Sequence, residues 1–257
     1  MSPAAAKILE RLQLTDRIVG IGAWVDPPAG SRNMPRVGTF DRPNVELILR
    51  LEAQALITSG ETSAQAARTR LAGLGVRVIA LDVATPDDLF HAIVTLGNLL
   101  GGSARAAALA ETIRAGMQNL TQRARDVHPS RVLVLVGREP WYAAGAGSGI
   151  DAMIRAVGGN NVIARSTSPY PQVSLETIVS GDPDVIIDCS DNRPGAPRGR
   201  HAGDWARFSF LQAVANNRVY FVNPNRFLVP GPDLVEKSFA LGQLIHAEIY
   251  GEPAGFD

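Results

Sequence analysis

One short unit occurs twice in this chain, with Glu46 and Glu176 standing 130 residues apart as its markers. Asn44-Val-Glu-Leu-Ile-Leu49 opens a helix by its pattern, and Ala55-Leu-Ile-Thr58 follows as a short apolar strand. Ser174-Leu-Glu-Thr-Ile-Val179 and Val185-Ile-Ile-Asp188 repeat the arrangement. Without a gap, Ile48 falls on Ile178, Leu56 on Ile186 and Ile57 on Ile187. Upstream, the helix-like run to Leu12 followed by Ile18-Val19-Gly20 matches the run to Val157 followed by Val162-Ile163-Ala164. Two copies of an alternating helix/strand unit imply an α/β chain of two similar, Rossmann-like lobes, with a ligand cleft between them.

Hydrophobic residues make up 46% of the 257 and charged residues 19%, enough apolar material for two cores. Lys plus Arg number 25 and so do Asp plus Glu, which argues against nucleic acid as a partner, because such binding runs on phosphate neutralisation. A single cysteine, Cys189, excludes an internal disulfide and a cysteine-rich metal site, and its place at the end of an apolar run reads as a small buried residue. No run approaches 18 apolar residues, and Met1–Glu10 lacks the apolar core of a signal peptide. The strand pattern Arg131-Val-Leu-Val-Leu-Val136 precedes the second lobe's first helix, and its counterpart would lie before Met1. The repeat thus predicts a first lobe short of its opening strand, in a sequence truncated at its front.

Periodicity and turn residues predict helices over 4–12, 44–50 and 63–73 and strands over 18–23, 55–58 and 76–81. From Pro86 to about Arg125 the pattern is helical, broken at Gly101-Gly102. A helix over 103–125 would reach roughly 35 Å and join the lobes. The boundaries expected are therefore 1–102 for one lobe, 103–127 for the joining helix and 128–257 for the other. In the last, strands are predicted over 131–136, 161–164, 185–188 and 218–222, with helices over 149–157, 174–180, 208–215 and 233–249 and a polar loop over 190–204.

With these elements placed, the chain resembles the class III substrate-binding proteins of ABC importers, the group that includes vitamin B12-, haem- and siderophore-binding proteins. The carrying residues run nearly the whole length: Ser2-Pro3 to Gly20, Asp26-Pro-Pro28, Pro35-Arg-Val-Gly38, Asn44-Val-Glu46, Ala143-Ala-Gly145 to Val162, Pro171-Gln-Val-Ser-Leu-Glu176, Pro183-Asp184 and Pro230-Gly-Pro232. The resemblance implies two lobes joined by one long helix, a monomer outside the cytoplasm, lipid-anchored in some members, and delivery of ligand to a membrane permease dimer. It makes Glu46 and Glu176 permease-docking acids, one per lobe; the helix dipole alone also favours an acid in a first turn. It places ligand-contacting aromatics at Phe40, Tyr142 and Tyr170, to which position adds Trp141, Trp24 and Asp26. Flat rings suit a corrinoid or another metal chelate, and no resident cofactor is expected. Haem-binding members commonly have a tyrosine seven residues before the first glutamate, where this chain has Thr39.

Gly145-Ala-Gly-Ser-Gly149 lacks the Lys-Ser/Thr ending of a phosphate loop and reads as a turn exposing a helix N-terminus to the cleft. His91, His128, His201 and His246 are scattered, without metal-ligand spacing. Arg193, Arg198 and Arg200 fit an anionic ligand and a solvated loop equally. No nucleophile, base and orienting acid converge, so the rival reading, a two-lobed α/β enzyme acting on a nucleotide or sugar, has no chemistry to name.

Overall fold

The structure, a computed structural model, describes residues 3–28, 33–39, 41–58, 64–191, 193, 196, 198–201, 203–224, 227–228, 231–253 and 255. Phe40 and Pro230 lie outside the described residues. The chain divides into two compact units, Met1–Thr112 and Ile113–Asp257.

The first unit opens with α1 (Pro3–Arg11), which buries Ile8 and Leu9 and packs on α4 (Pro86–Leu99). Thr85 caps α4 by accepting from the Asp88 backbone N–H at 3.2 Å, while Asp88 accepts from the Thr85 N–H at 2.9 Å. That reciprocal pair satisfies two N–H groups the helix leaves free. Between these helices lie α2 (Val45–Arg50), β1 (Ala55–Thr58), α3 (Gln65–Gly73) and β2 (Arg77–Ala80). β1 and β2 run parallel, from Ala55↔Arg77 to Thr58↔Ala80. Val37, Ile48, Leu56, Leu71 and Val76 form the core beneath them.

The strand expected over 18–23 does not form. Only an isolated parallel bridge joins Ile21 to Arg36, with Ile21 N–H donating to Pro35 O at 2.9 Å and Val37 N–H to Ile21 O at 2.8 Å. An apolar run becomes a strand only where a partner continues the ladder.

Helix α5 (Ser103–Arg123) contains the boundary between the units. Its first half buries Ala106 and Ala110 in the first unit; its second half buries Ile113 and Leu120 in the second, where the Tyr250 hydroxyl donates to Leu120 O at 3.0 Å. The 21 residues amount to roughly 32 Å at helical rise.

The second unit is built on β3 (Ser130–Gly137), whose middle four residues are buried, as a strand covered on both faces requires. Then follow β4 (Tyr142–Ala143), α6 (Gly149–Ala156), β5 (Gly159–Asn161), α7 (Leu175–Gly181), β6 (Val185–Asp188), β7 (Gly199–Arg200), α8 (Gln212–Ala215), β8 (Val219–Phe221), α9 (Leu234–Ile245) and α10 (Ala247–Tyr250). The sheet order is β4-β3-β6-β8-β7, with β5 also on β3, and β5, β3, β6 and β8 are parallel. β5 replaces the strand predicted at 161–164. The Asn161 side chain donates to Asp151 and to Ala144 O and accepts from the Ile163 N–H, turning the chain there. Among the described residues, no helix is long and apolar enough to cross a membrane.

Arg131, at the start of β3, ties down Asp184, which immediately precedes β6. Its backbone N–H and Nε donate to Asp184 Oδ2 at 2.8 and 3.2 Å, and Nη2 donates to Oδ1 at 2.8 Å. Partial burial works against the carboxylate, but these bonds and the arginine charge prevail and hold Asp184 below the ordinary carboxyl range. A depressed folded-state pKa gives stability that is complete above the unfolded value and lost as pH falls through the folded one. Acid melting curves should therefore show a loss below about pH 4 that shrinks in Asp184→Asn; an unchanged acid limb would refute the assignment.

Candidate ligand site

The parallel strands β3 and β6 both end on the same side of their sheet, the side on which open α/β sheets hold ligands. The residues immediately after β3, Arg138 to Trp141, meet the segment Gly203–Phe208, a 3-10 stretch that follows the loop after β6 and β7. Together with Val173 they line a cavity of about 820 Å³.

Its floor is aromatic. The Trp141 ring stacks on Trp205 with centroids 5.6 Å apart and planes 22° apart. Phe208 meets both edge-on, at 6.1 and 5.8 Å. Offset and edge-to-face pairs of this kind hold their rings in fixed attitudes. The Arg207 guanidinium lies 4.8 Å from the Phe208 centroid.

Asp188, the last residue of β6, sets this floor from below. It is fully buried and accepts from Trp205 Nε1 at 3.0 Å, Arg138 Nη2 at 2.6 Å, and the Ser190 N–H and hydroxyl at 3.0 and 2.5 Å. Arg138 also donates to Asp204 at 2.5 Å, fastening the Gly203–Phe208 segment to the end of β3. Burial opposes the Arg138 charge, but the two carboxylates outweigh it and raise the guanidinium's pKa above its ordinary value. Cys189, next in the chain, is buried, and desolvation pushes its thiol pKa far up, as for a thiol packed in a core.

The expected site residues distribute unevenly. Trp141 is in the cavity wall. Tyr142 and Tyr170 are not; they stand on adjoining segments, where Tyr142 bridges to Gln172, and the Val173 N–H donates to Trp141 O at 2.9 Å. The Tyr142 ring lies against Gly137, and Tyr170 is half-buried, with desolvation raising its phenol pKa. In the first unit Trp24 is 83% exposed and Asp26 is exposed, on a loop gathered by one guanidinium nitrogen. Arg36 Nη1 donates to Gly22 O, Ala23 O and Val25 O at 3.1, 3.0 and 2.6 Å. Thr39, at the position where a haem-binding member would carry a tyrosine, hydrogen-bonds to Asp41 and holds that carboxyl below its usual range.

The glycine-rich turn differs from expectation. Ser148 caps α6 by accepting from the Asp151 N–H at 3.1 Å, Asp151 is itself buried, and a Cβ on Gly145 would sit 2.6 Å from Ser168 O. That helix N-terminus is occupied by its own side chains and covered by the 168–171 segment, so it offers nothing to a ligand. Of the loop arginines, Arg193 pairs with Asp191 at 2.7 Å and Arg200 donates to Asn217 O at 2.6 Å. Among the described residues no group of three His, Cys, Asp or Glu is placed to hold a metal ion.

Trp205, Phe208 and Arg138 escaped the sequence-based expectations. The signal for two of them was present in Trp205-Ala-Arg-Phe208-Ser-Phe210, an aromatic run closing an otherwise polar loop. Phe210 extends it outward, 6.2 Å from Phe208 and 60% exposed.

Residues 1–225 match the family described as periplasmic binding protein. A cobalamin-binding protein of Halobacterium salinarum is 30% identical over 253 residues, covering 96% of this chain and 68% of that relative. The fold matches that of a possible iron-binding, periplasmic solute-binding protein from Staphylococcus epidermidis (TM-score 0.82, 20% identity, 95% of this chain and 96% of that one). It also matches the periplasmic haem-binding protein of Vibrio cholerae (TM-score 0.81, 21% identity, 95% and 96%).

Proposed function

Because the chain belongs to the periplasmic binding protein family, we propose that it is the extracytoplasmic receptor of an ABC importer and that its ligand is a corrinoid. The observation that carries the ligand class is the chemistry of the cavity in the second unit. Its described wall pairs an aromatic floor with balanced charge, Arg138 and Arg207 against Glu139 and Asp204, and includes no histidine, cysteine or methionine. A corrinoid brings its own metal already held by its ring and presents neutral amides, which such a wall suits. Haem would ask for an excess of cations facing its propionates, which a wall of balanced charge does not supply. The cobalamin-binding relative supports the same reading. The relatives found are binding proteins, not enzymes, and nothing supports the rival enzyme reading.

Under this proposal Trp141, Tyr142, Tyr170, Trp24, Asp26 and Phe40 are ligand contacts, and Glu46 and Glu176 dock a permease dimer. The chain acts as a monomer. Titrating cobinamide, cobalamin and haemin into the protein while following tryptophan fluorescence and melting tests the ligand. A corrinoid at 100 times its dissociation constant should stabilise the fold by about 2.7 kcal/mol. Affinity should change little between low and high salt, since flat apolar contact dominates. Haemin binding with the absorbance of an axially ligated iron, or no corrinoid binding, would overturn the assignment.

A further inference from the structure

The two repeated helices have the same surface as well as the same fold. Asn44 caps α2 by accepting from the Leu47 N–H at 3.0 Å, and Ser174 caps α7 by accepting from the Thr177 N–H at 3.2 Å. Each helix buries one isoleucine, Ile48 or Ile178, and leaves its glutamate exposed. One helical turn past each glutamate stands an aliphatic side chain in water: Leu49 in α2, 36% exposed, and Val179 in α7, 38% exposed. In α7 Leu175 adds a second, also 38% exposed, at the position of half-buried Val45.

Positions three and four apart share a helix face, so acid and aliphatic form one patch in each unit. The helix dipole accounts for an acid in the first turn but not for an exposed aliphatic beside it. Scattered surface leucines are ordinary. The same register beside the same acid in both repeats is not scatter, and the fold's own demand is already met by Ile48 and Ile178. Neither glutamate forms an ion pair with a described residue, and Glu176 accepts only from the Ser174 hydroxyl at 3.3 Å.

We infer that Leu49 and Leu175-Val179 are the apolar half of two matched docking patches. Each receives one of two equivalent permease surfaces that present a cationic side chain bordered by apolar ones. A chain with an internal repeat is suited to a two-fold partner, each copy of the unit meeting the same surface once. The charge sets orientation and encounter rate, and the aliphatics, desolvated around it, slow dissociation. The inference rests on the docking reading proposed above and adds to it the residues that hold the complex.

The test uses the permease–ATPase complex of the source organism's corrinoid importer, reconstituted in nanodiscs. Wild type, Glu46→Ala/Glu176→Ala and Leu49→Ser/Val179→Ser are titrated against it at low and high salt, with melting temperature as the check on folding. The aliphatic pair variant should dock about tenfold or more weakly at both salt concentrations. The glutamate pair variant should lose affinity chiefly at low salt. Cys189 is buried, so an environment-sensitive dye on Leu49→Cys or Val179→Cys reports the patch, with the wild-type chain as the labelling control, and should shift to the blue on docking. Wild-type docking by the aliphatic variant, with weakened docking by the glutamate variant, would overturn this inference and leave the docking reading standing. Undiminished docking by both variants would overturn the docking reading itself. Equal binding to protein-free nanodiscs, or a dimer of the chain abolished by the aliphatic substitutions, would overturn the choice of occupant in favour of a lipid surface or a second copy.

Discussion

Asp188→Ala should lower the stability of the protein by about 3 kcal/mol, the lower end of what removing one partner of a buried ion pair costs. Four donors converge on this carboxylate, and deleting it strands the buried Trp205 N–H and leaves one arm of the partly buried Arg138 guanidinium without its partner. Arg138 keeps Asp204 and is 28% exposed, which is why the upper end of the range does not apply. In a unit of this size about 3 kcal/mol lowers the melting temperature by roughly 6–12 °C. Asp188→Asn retains one acceptor and should cost about half as much, since the charge is lost but hydrogen bonds remain. Thermal and urea unfolding followed by near-ultraviolet circular dichroism, which senses the tryptophans, measures both. A melting point for Asp188→Ala within about 2 °C of wild type would show that the carboxylate does not organise the site.

Trp141→Ala should weaken corrinoid binding by about 30- to 150-fold, equivalent to roughly 2–3 kcal/mol for a central aromatic anchor. Trp141 is half-buried, stacked on Trp205 from one side and open to the cavity on the other, so its truncation removes ligand contact without emptying the core. Trp205→Ala is a poorer probe, because that ring is 2% exposed and its loss would also cost about 3–5 kcal/mol of stability. Trp205→Phe retains the stack and drops only the hydrogen bond to Asp188, so it should bind within a few-fold of wild type. Calorimetric titration of cobinamide into the variants separates the cases. Unchanged affinity in Trp141→Ala would remove this cavity from the ligand site.

Much of the architecture is written locally. The caps Asn44 and Ser174, the isoleucines one turn inside, and the four-residue strands β1 and β6 lie where the repeat and the helical period place them. The caps depend on neighbours a few residues away, and the two strands are short apolar runs for which the fold supplies a continuous parallel partner. At two other apolar runs the local pattern misled. Ile18 to Ala23 has the composition of a strand but finds only one bridged residue, at Arg36. The pairing expected at 161–164 moved to Gly159–Asn161, because the Asn161 side chain captures the Ile163 N–H and turns the chain away from the sheet.

The same division runs through the candidate site. The two-unit α/β plan, the matched glutamates and the aromatic character of the loops are all legible in the sequence, because periodicity, capping and repeat register are properties of short stretches of chain. Which aromatics share a cavity is settled by packing alone. Trp141 follows β3 and Trp205 follows β6, and they stack because those strands are parallel neighbours and one buried carboxylate, Asp188, holds Arg138 and Trp205 together. A contact between residues 64 positions apart has no local pattern to announce it; it exists only once the sheet has been built.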